Sequence, residues 1–147
     1  MELFKKRTQQ NVLIVGCGRL GSSLANILSE QNKNVTIIDI DANAFRKLSS
    51  SYGGLSLEGD GSDIDHLMYA GANQADVLIA ATDDDDTNIM IGQIARQVFG
   101  IETVLVRLYD TSKQVAYENL GIISICPANL SIDEFKRHVM SEELKAV

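Results

Sequence analysis

The sequence predicts an α/β fold built on a doubly wound parallel sheet, and three observations carry that prediction. Apolar runs and helical patterns alternate from end to end, as they do where the strands of a parallel sheet are covered on both faces. The first run, NVLIV, leads straight into a glycine-rich turn, GCGRLG, that opens a helical pattern. The second run, VTIID, ends on an acidic residue, Asp39, 18 residues beyond the last glycine of that turn.

Taken in order, strands are expected at 11–16 (NVLIVG), 34–39 (NVTIID), 55–58 (LSLE), 76–81 (DVLIAA), 103–108 (TVLVRL) and 122–125 (IISI). Helices are expected between them at 19–31, 42–51, 63–70, 86–99 and 112–119, with a last one at 130–144. Gly100 and Gly121 stand where helices should stop, and the single proline, Pro127, follows the sixth strand. Right-handed crossovers then give a Rossmann-like six-stranded sheet in the order 3-2-1-4-5-6, with a crevice beyond the carboxyl ends of strands 1 and 4.

Composition narrows the class. The chain has 147 residues, 45% of them hydrophobic, which suits one compact domain over 11–147 behind a basic leader at 1–10. It contains no internal repeat and no low-complexity linker. No apolar run reaches membrane-spanning length and no signal-peptide pattern opens the sequence, so a soluble, cytoplasmic protein is expected. Cys17 and Cys126 lack the spacing of a zinc or redox motif and read as reduced packing residues. The net charge is −7, and no Lys or Arg occurs between Lys47 and Arg96, an interval holding nine carboxylates. That balance argues against a nucleic-acid partner, which needs a basic face. The KKR at 5–7 reads as a solvated leader, with contact to an anionic membrane surface as the alternative.

Gly16-Cys17-Gly18-Arg19-Leu20-Gly21 is G-x-G-x-x-G between a strand and a helix, and each glycine has a task there. Gly16 makes the tight turn, Gly18 lets a phosphate approach the backbone, and Gly21 lets the helix rest on the sheet. Amides at the helix N-terminus would face the phosphate. Asp39 is placed to accept hydrogen bonds from ribose hydroxyls and to repel a 2′-phosphate, and no arginine follows it directly. NAD(H) or an adenine nucleotide is therefore expected in preference to NADP(H).

With GCGRLG, IID, GDGS and ATDDDDTN in this order, the sequence resembles the RCK N-terminal (TrkA-N) domain, the nucleotide-binding regulatory subunit of Trk and Ktr potassium uptake systems. The resemblance covers nearly the whole chain. It implies a cytosolic module, peripheral at the inner face of the membrane, that binds ATP, ADP, AMP or NAD(H), assembles as dimers or larger rings, and gates a potassium-translocating subunit. It assigns Asp60 to adenine, Thr82 and Asn88 to the motif after the fourth strand, and Arg19 to nucleotide phosphate in its own or a neighbouring subunit. Family members usually continue into a C-terminal ligand-sensing domain; here such a unit would be a separate subunit or lie outside the given sequence.

The cofactor site is thus expected to comprise Gly16, Cys17, Gly18, Arg19, Leu20 and Gly21 of the turn; Asp39 and Ile40; Gly59, Asp60 and Gly61; Ala81, Thr82 and Asn88; and Arg107. Asp60 also reads as a turn acid or helix cap. Asp83 to Asp86 read as a capped, solvated helix start rather than a cation site. Arg107, a charge inside TVLVRLYD, needs either a ligand phosphate or a carboxylate partner. His66 and His138 have no evident catalytic companion and read as solvated or interfacial. Ile132, Phe135 and Val139 make a stripe on the last helix, suited to packing or to an oligomer contact. No catalytic or metal residue is assigned. The reading is a non-enzymatic nucleotide sensor; the alternatives are an NAD-dependent oxidoreductase cofactor domain lacking its substrate domain, and a redox-responsive repressor module opposed by the acidic surface.

Overall fold

The computed structural model describes residues 9–117 and 119–145; the KKR segment lies outside them. Six parallel strands form one sheet in the order β3-β2-β1-β4-β5-β6, as the sequence predicts. They are β1 (Asn11–Val15), β2 (Asn34–Asp39), β3 (Leu55–Glu58), β4 (Val77–Ala80), β5 (Thr103–Arg107) and β6 (Ile122–Ile125). Among the described residues four α-helices accompany them: α1 (Arg19–Glu30), α2 (Ile64–Tyr69), α3 (Asp85–Gln97) and α4 (Pro127–Lys145).

Strand pairing sorts the side chains into two cores. Val12 of β1 aligns with Val35 and Val77, and Ile14 aligns with Ile37. These residues face α1 and bury Ala25 and Cys17 with them. The alternate positions Leu13, Val15, Ile38, Leu78 and Ala80 turn to the other face, where Leu67 of α2 and Ile91 and Ala95 of α3 cover them. Period-two alternation inside apolar strands thus supplies both layers at once.

Two predicted helices are shorter and tighter than expected. The segment at 42–51 is a 3-10 helix over Ala42–Lys47, and that at 112–119 is a 3-10 helix over Thr111–Ala116. Asp41 and Asp110 cap them by accepting from Asn43 N and Ser112 N. The first dissolves into a serine run whose groups bond elsewhere: Ser49 N donates to Asn26 Oδ1, and the Ser49 and Ser51 hydroxyls meet at 2.9 Å. Such local side-chain bonds compete with a helix too short to outlast its nucleation cost. The last helix starts earlier than 130, because Pro127 is its first residue, where a fixed φ and a missing N–H carry no penalty.

The crossovers from β4 to β6 lie on the α3 face, which leaves part of the opposite face bare. Leu105 and Arg107 of β5 align with Ile123 and Ile125 of β6. Ile123 is 53% exposed. No described helix is long and apolar enough to cross a membrane.

Gly16 is the point where the first strand becomes the turn. Its φ is +102°, and a Cβ there would sit 2.8 Å from the Ala81 carbonyl carbon and oxygen. Gly71 has a similar φ of +95° but open space around it. Gly16→Ala should therefore lower stability by about 2 to 4 kcal/mol, combining backbone strain with overpacking. Gly71→Ala should lose only the backbone share, about 1 to 2 kcal/mol. Urea denaturation of both variants checks the difference.

Candidate functional site

Where the strand order reverses between β1 and β4, the structure opens into a cleft of about 570 Å³. Its wall runs from Val15, Gly16, Cys17 and Gly18 through Asp39, Ile40 and Asp41 to Gly59, Asp60, Gly61 and Ser62, and closes with Ala81 to Asp84. Backbone bonds continue the sheet ladder into these loops. Gly16 N donates to Ile38 O, Gly59 N to Asp39 O, and Ala81 N to Val15 O. The rim of the cleft is therefore as rigid as the strand ends beneath it.

Helix capping distinguishes α1 from the other α-helices and 3-10 segments that border the cleft. Asp63 caps α2 and Asp84 caps α3, while Asp41 and Asp110 cap the 3-10 segments. At α1 the cap is Gly18, no side chain accepts from its first turn, and that turn contains no acid. Its leading amides are left for a partner from outside the chain, and the positive end of the helix dipole favours an anion there.

Asp39 faces this helix end across the turn. Its Oδ2 accepts from Cys17 N at 2.7 Å and its Oδ1 from Asp41 N at 2.8 Å. The carboxylate thus holds the phosphate turn and the β2 exit together, while each oxygen keeps a lone pair for a ligand hydroxyl. Asp60 is half-buried and accepts from Ser62 through both its hydroxyl, at 2.6 Å, and its amide. The Ser62 hydroxyl first, then its amide, hold the Asp60 carboxyl below the usual carboxylate range. Asp60 therefore caps a turn and lines the cleft at once, whereas the cap of α2 is Asp63.

Beyond β4 the site rests on a buried knot. Asn88 is fully buried, and its Oδ1 accepts from Thr82 N and from the Thr82 hydroxyl at 2.9 and 2.6 Å. Its Nδ2 donates to the carbonyls of Thr82 and Arg107. Asp83 to Asp86 form the capped, exposed helix start the sequence predicts, with Asp84 as the cap, except that Asp85 is buried. Asp83 pairs with Arg107 at 3.2 Å, Asp84 accepts from the Thr87 amide and hydroxyl, and Asp86 pairs with Lys113 at 2.9 Å. Asp85 is only 8% exposed and accepts from the amides of Tyr109 and Asp110. It staples the loop after β5 to the start of α3. Among the described residues no cluster of three or more His, Cys, Asp or Glu is placed to hold a metal.

Arg107 has the carboxylate partner. Its side chain is 10% exposed, its guanidinium lies 4.4 Å from the Tyr109 ring centroid and touches that residue's hydroxyl, and Asp83 receives one of its N–H groups. It stands behind Asp83 rather than in the cleft wall. Arg19, Leu20, Gly21 and Asn88 also stand outside that wall. Arg19 is exposed beside the turn, while Gly21 is where α1 meets the sheet: a Cβ there would fall 1.8 Å from Gly16 O. The other predicted residues, Gly16, Cys17, Gly18, Asp39, Ile40, Gly59, Asp60, Gly61, Ala81 and Thr82, converge on the cleft.

Sequence reasoning missed Asp41, Lys47 and Ser62, which also line it. Among the described residues Lys47 is the one cation of that wall, against Asp39, Asp41, Asp60, Asp83 and Asp84. The 3-10 segment that carries it has no 3.6-residue period to reveal which residue turns inward. Cys17 and Cys126 are buried and unpaired, and burial pushes the Cys17 thiol up.

Comparison with known proteins agrees with this geometry. Residues 12–127 match the family described as the TrkA-N domain. A Trk system potassium uptake protein TrkA from Streptomyces coelicolor is 38% identical over 130 residues, covering 88% of this chain and 58% of the relative. The chain thus spans less than two thirds of that relative's length. Among solved structures, a GsuK channel bound to NAD superposes with a TM-score of 0.78 at 19% identity, over 95% of this chain and 25% of that one. A Kef C-terminal domain from Shewanella denitrificans in its AMP-bound form superposes with a TM-score of 0.74 at 24% identity, over 90% and 80%. At those identities the superpositions speak for the fold.

Asn88→Leu should separate the knot from the cleft it supports. Removing both amide groups strands the Thr82 and Arg107 backbone groups in a buried site, so stability should fall by about 2 to 4 kcal/mol. A shift in the urea midpoint measures it, and an unchanged midpoint would show that the knot is dispensable.

Proposed function

Because the chain belongs to the TrkA-N domain family, we propose that it is a regulatory nucleotide sensor for a potassium-translocating membrane subunit, binding NAD(H) or an adenine nucleotide (ATP, ADP or AMP) in the cleft between β1 and β4. One observation carries the reading: the uncapped N-terminus of α1 and the Asp39 carboxylate face one another across a single switch-point cleft. The first suits a phosphate or diphosphate, the second a ribose with free hydroxyls. Asp41 beside Asp39 adds to the repulsion of a 2′-phosphate. Asp60 and Ile40 are then neighbours of the adenine, and Arg19, exposed beside the turn, is free to reach outer phosphates in its own subunit or another.

The relative from Streptomyces coelicolor is by its name a potassium uptake protein, and the two superposed structures by theirs hold NAD and AMP. On this reading the protein works in the cytoplasm, peripheral to the inner face of the membrane through its partner. A C-terminal RCK-type unit would be joined to it or supplied by a separate subunit. The alternative, an NAD-dependent oxidoreductase cofactor domain, would need an acid or base beside the reacting carbon. The cleft wall contains no histidine or tyrosine, Cys17 is fully buried, and Lys47 sits on the Asp39 side. On the proposed reading the protein acts by binding rather than by turnover.

Self-assembly belongs to the same proposal. Leu130, Ile132, Phe135, Val139 and Met140 of α4 are all exposed, Phe135 by 75%, and the bare face at Ile123 and Ile125 offers apolar surface of matching character. Stripes of this kind on one helix usually meet a partner.

Asp39→Ala should remove charge-assisted bonds to the ribose worth roughly 1.5 to 3 kcal/mol. The dissociation constant of NAD or ADP should rise about 10- to 150-fold by calorimetry; equal affinity would refute the ribose role. Sedimentation at high micromolar concentration should give a dimer or larger species that Phe135→Glu weakens. A wild-type monomer there would overturn the assembly.

A further inference from the structure

His66 belongs to none of the groups above and does not line the cleft, yet its ring backs the loop that does. It lies in the first turn of α2, and its Nδ1 accepts the amide hydrogen of Asp60 at 2.8 Å. The same ring closes on the preceding residue: a Cβ at Gly59 would lie 3.3 Å from His66 Nδ1 and 3.0 Å from Ile38 Cδ1. The Gly59-Asp60-Gly61 loop, which lines the cleft, is thus held between Ile38 of β2 and the imidazole of α2.

We infer that His66 is a positioning residue whose neutral ring latches the Asp60 loop in its ligand-ready form, so that protonation of His66 releases the loop and weakens nucleotide binding. This rests on the reading of the cleft as an adenosine site. The chemistry is a matter of hydrogen count. An amide N–H and a protonated Nδ1 are both donors and cannot share one contact, so the latch exists only while Nδ1 bears a lone pair. Histidine is the side chain whose charge changes near neutral pH, and this ring is solvent-exposed, open to protons.

The charged groups around the ring give its cation somewhere to go. Asp60 sits in the loop it holds, Glu58 ends β3 just before that loop, and Asp63 and Asp65 share its helix turn. Ile38, the neighbour from β2, is uncharged. A protonated ring therefore loses the amide, and Glu58, Asp63 and Asp65, outside the loop, compete with Asp60 for its charge. Asp60 does not confuse the readout, since its bonds from Ser62 keep it ionised across this range. His138, the other histidine, lies on α4 against Glu134.

The test titrates NAD into three proteins between about pH 8 and pH 5.5, a window in which the ligand itself has no group that changes charge. Wild type should lose about 3- to 10-fold in affinity as pH falls, the equivalent of one modest hydrogen bond. His66→Asn, whose amide oxygen can stand where Nδ1 stands but does not titrate, should bind as wild type does at high pH and stay flat. His66→Leu should be flat and weak throughout. A flat wild-type profile, an undiminished pH dependence in His66→Asn, or full affinity in His66→Leu would overturn the latch. A second reading needs no ligand: the Asp60 amide proton resonance should move with pH in wild type and stay still in His66→Asn. If that resonance titrates while NAD fails to bind at any pH, the nucleotide reading falls and the latch stands; if it does not titrate, the latch falls.

Discussion

Everything at the cleft depends on how closely α1 approaches the turn that precedes it. The helix sits on Gly16 O at a distance that leaves no room for a side chain at Gly21, and Gly16 itself bends with a positive φ under Ala81. Together the two glycines aim unsatisfied helix amides at the one place where the sheet's connections diverge. Asp39 then locks the turn from the other side by accepting from Cys17 N. Remove the close approach and the amides point elsewhere, whatever the rest of the cleft contains.

The acidic character of the chain follows from the same economy of caps. Aspartate begins one element after another: Asp41, Asp63, Asp84 and Asp110 each accept from a backbone amide in the turn they open. For Asp84 and Asp110 the hydroxyl partners Thr87 and Ser112, more than their amides, hold the carboxyls below the usual carboxylate range. The start of α1, at the cleft, carries no such cap, and an internal carboxylate there would compete with any anion from outside. Against a wall with five carboxylates and one lysine, that gap is where the proposed phosphate would meet least repulsion. The distribution of acids is thus itself a form of selectivity.

The sheet was legible in the sequence because its signals are redundant. Strand runs, glycine stops and the alternation of faces all point to the same order, and a wrong residue or two would not have altered it. The turn and Asp39 were legible because their spacing is fixed by covalent geometry between one strand end and the next. The 3-10 segments at Ala42–Lys47 and Thr111–Ala116 were not, since six residues carry too little periodicity to separate two helix types. Asp85 was hidden for a different reason. Four identical side chains in a row share one local propensity, and only the fold places the amides of Tyr109 and Asp110 over one of them. Asn88 shows the converse: its position in the motif was readable, but its role as a buried support instead of part of the cleft wall depends on neighbours from β5.

That support constrains how a change in the cleft reaches the rest of the chain. Thr82 in the wall is tied through Asn88 to the carbonyl of Arg107, and Arg107 lies in register with Ile125 of β6. Leu108 N donates to Ile125 O, Cys126 Sγ lies 3.8 Å from Tyr109 O, and α4 begins at the next residue, Pro127. From cleft to helix the path crosses the buried Asn88 and a run of strand-end hydrogen bonds. Close-packed interiors move as units rather than stretch. A ligand that shifts Thr82 therefore has to carry the α3 start and the β5 end with it, and the element left free to respond is α4, whose apolar stripe has no cover among the described residues.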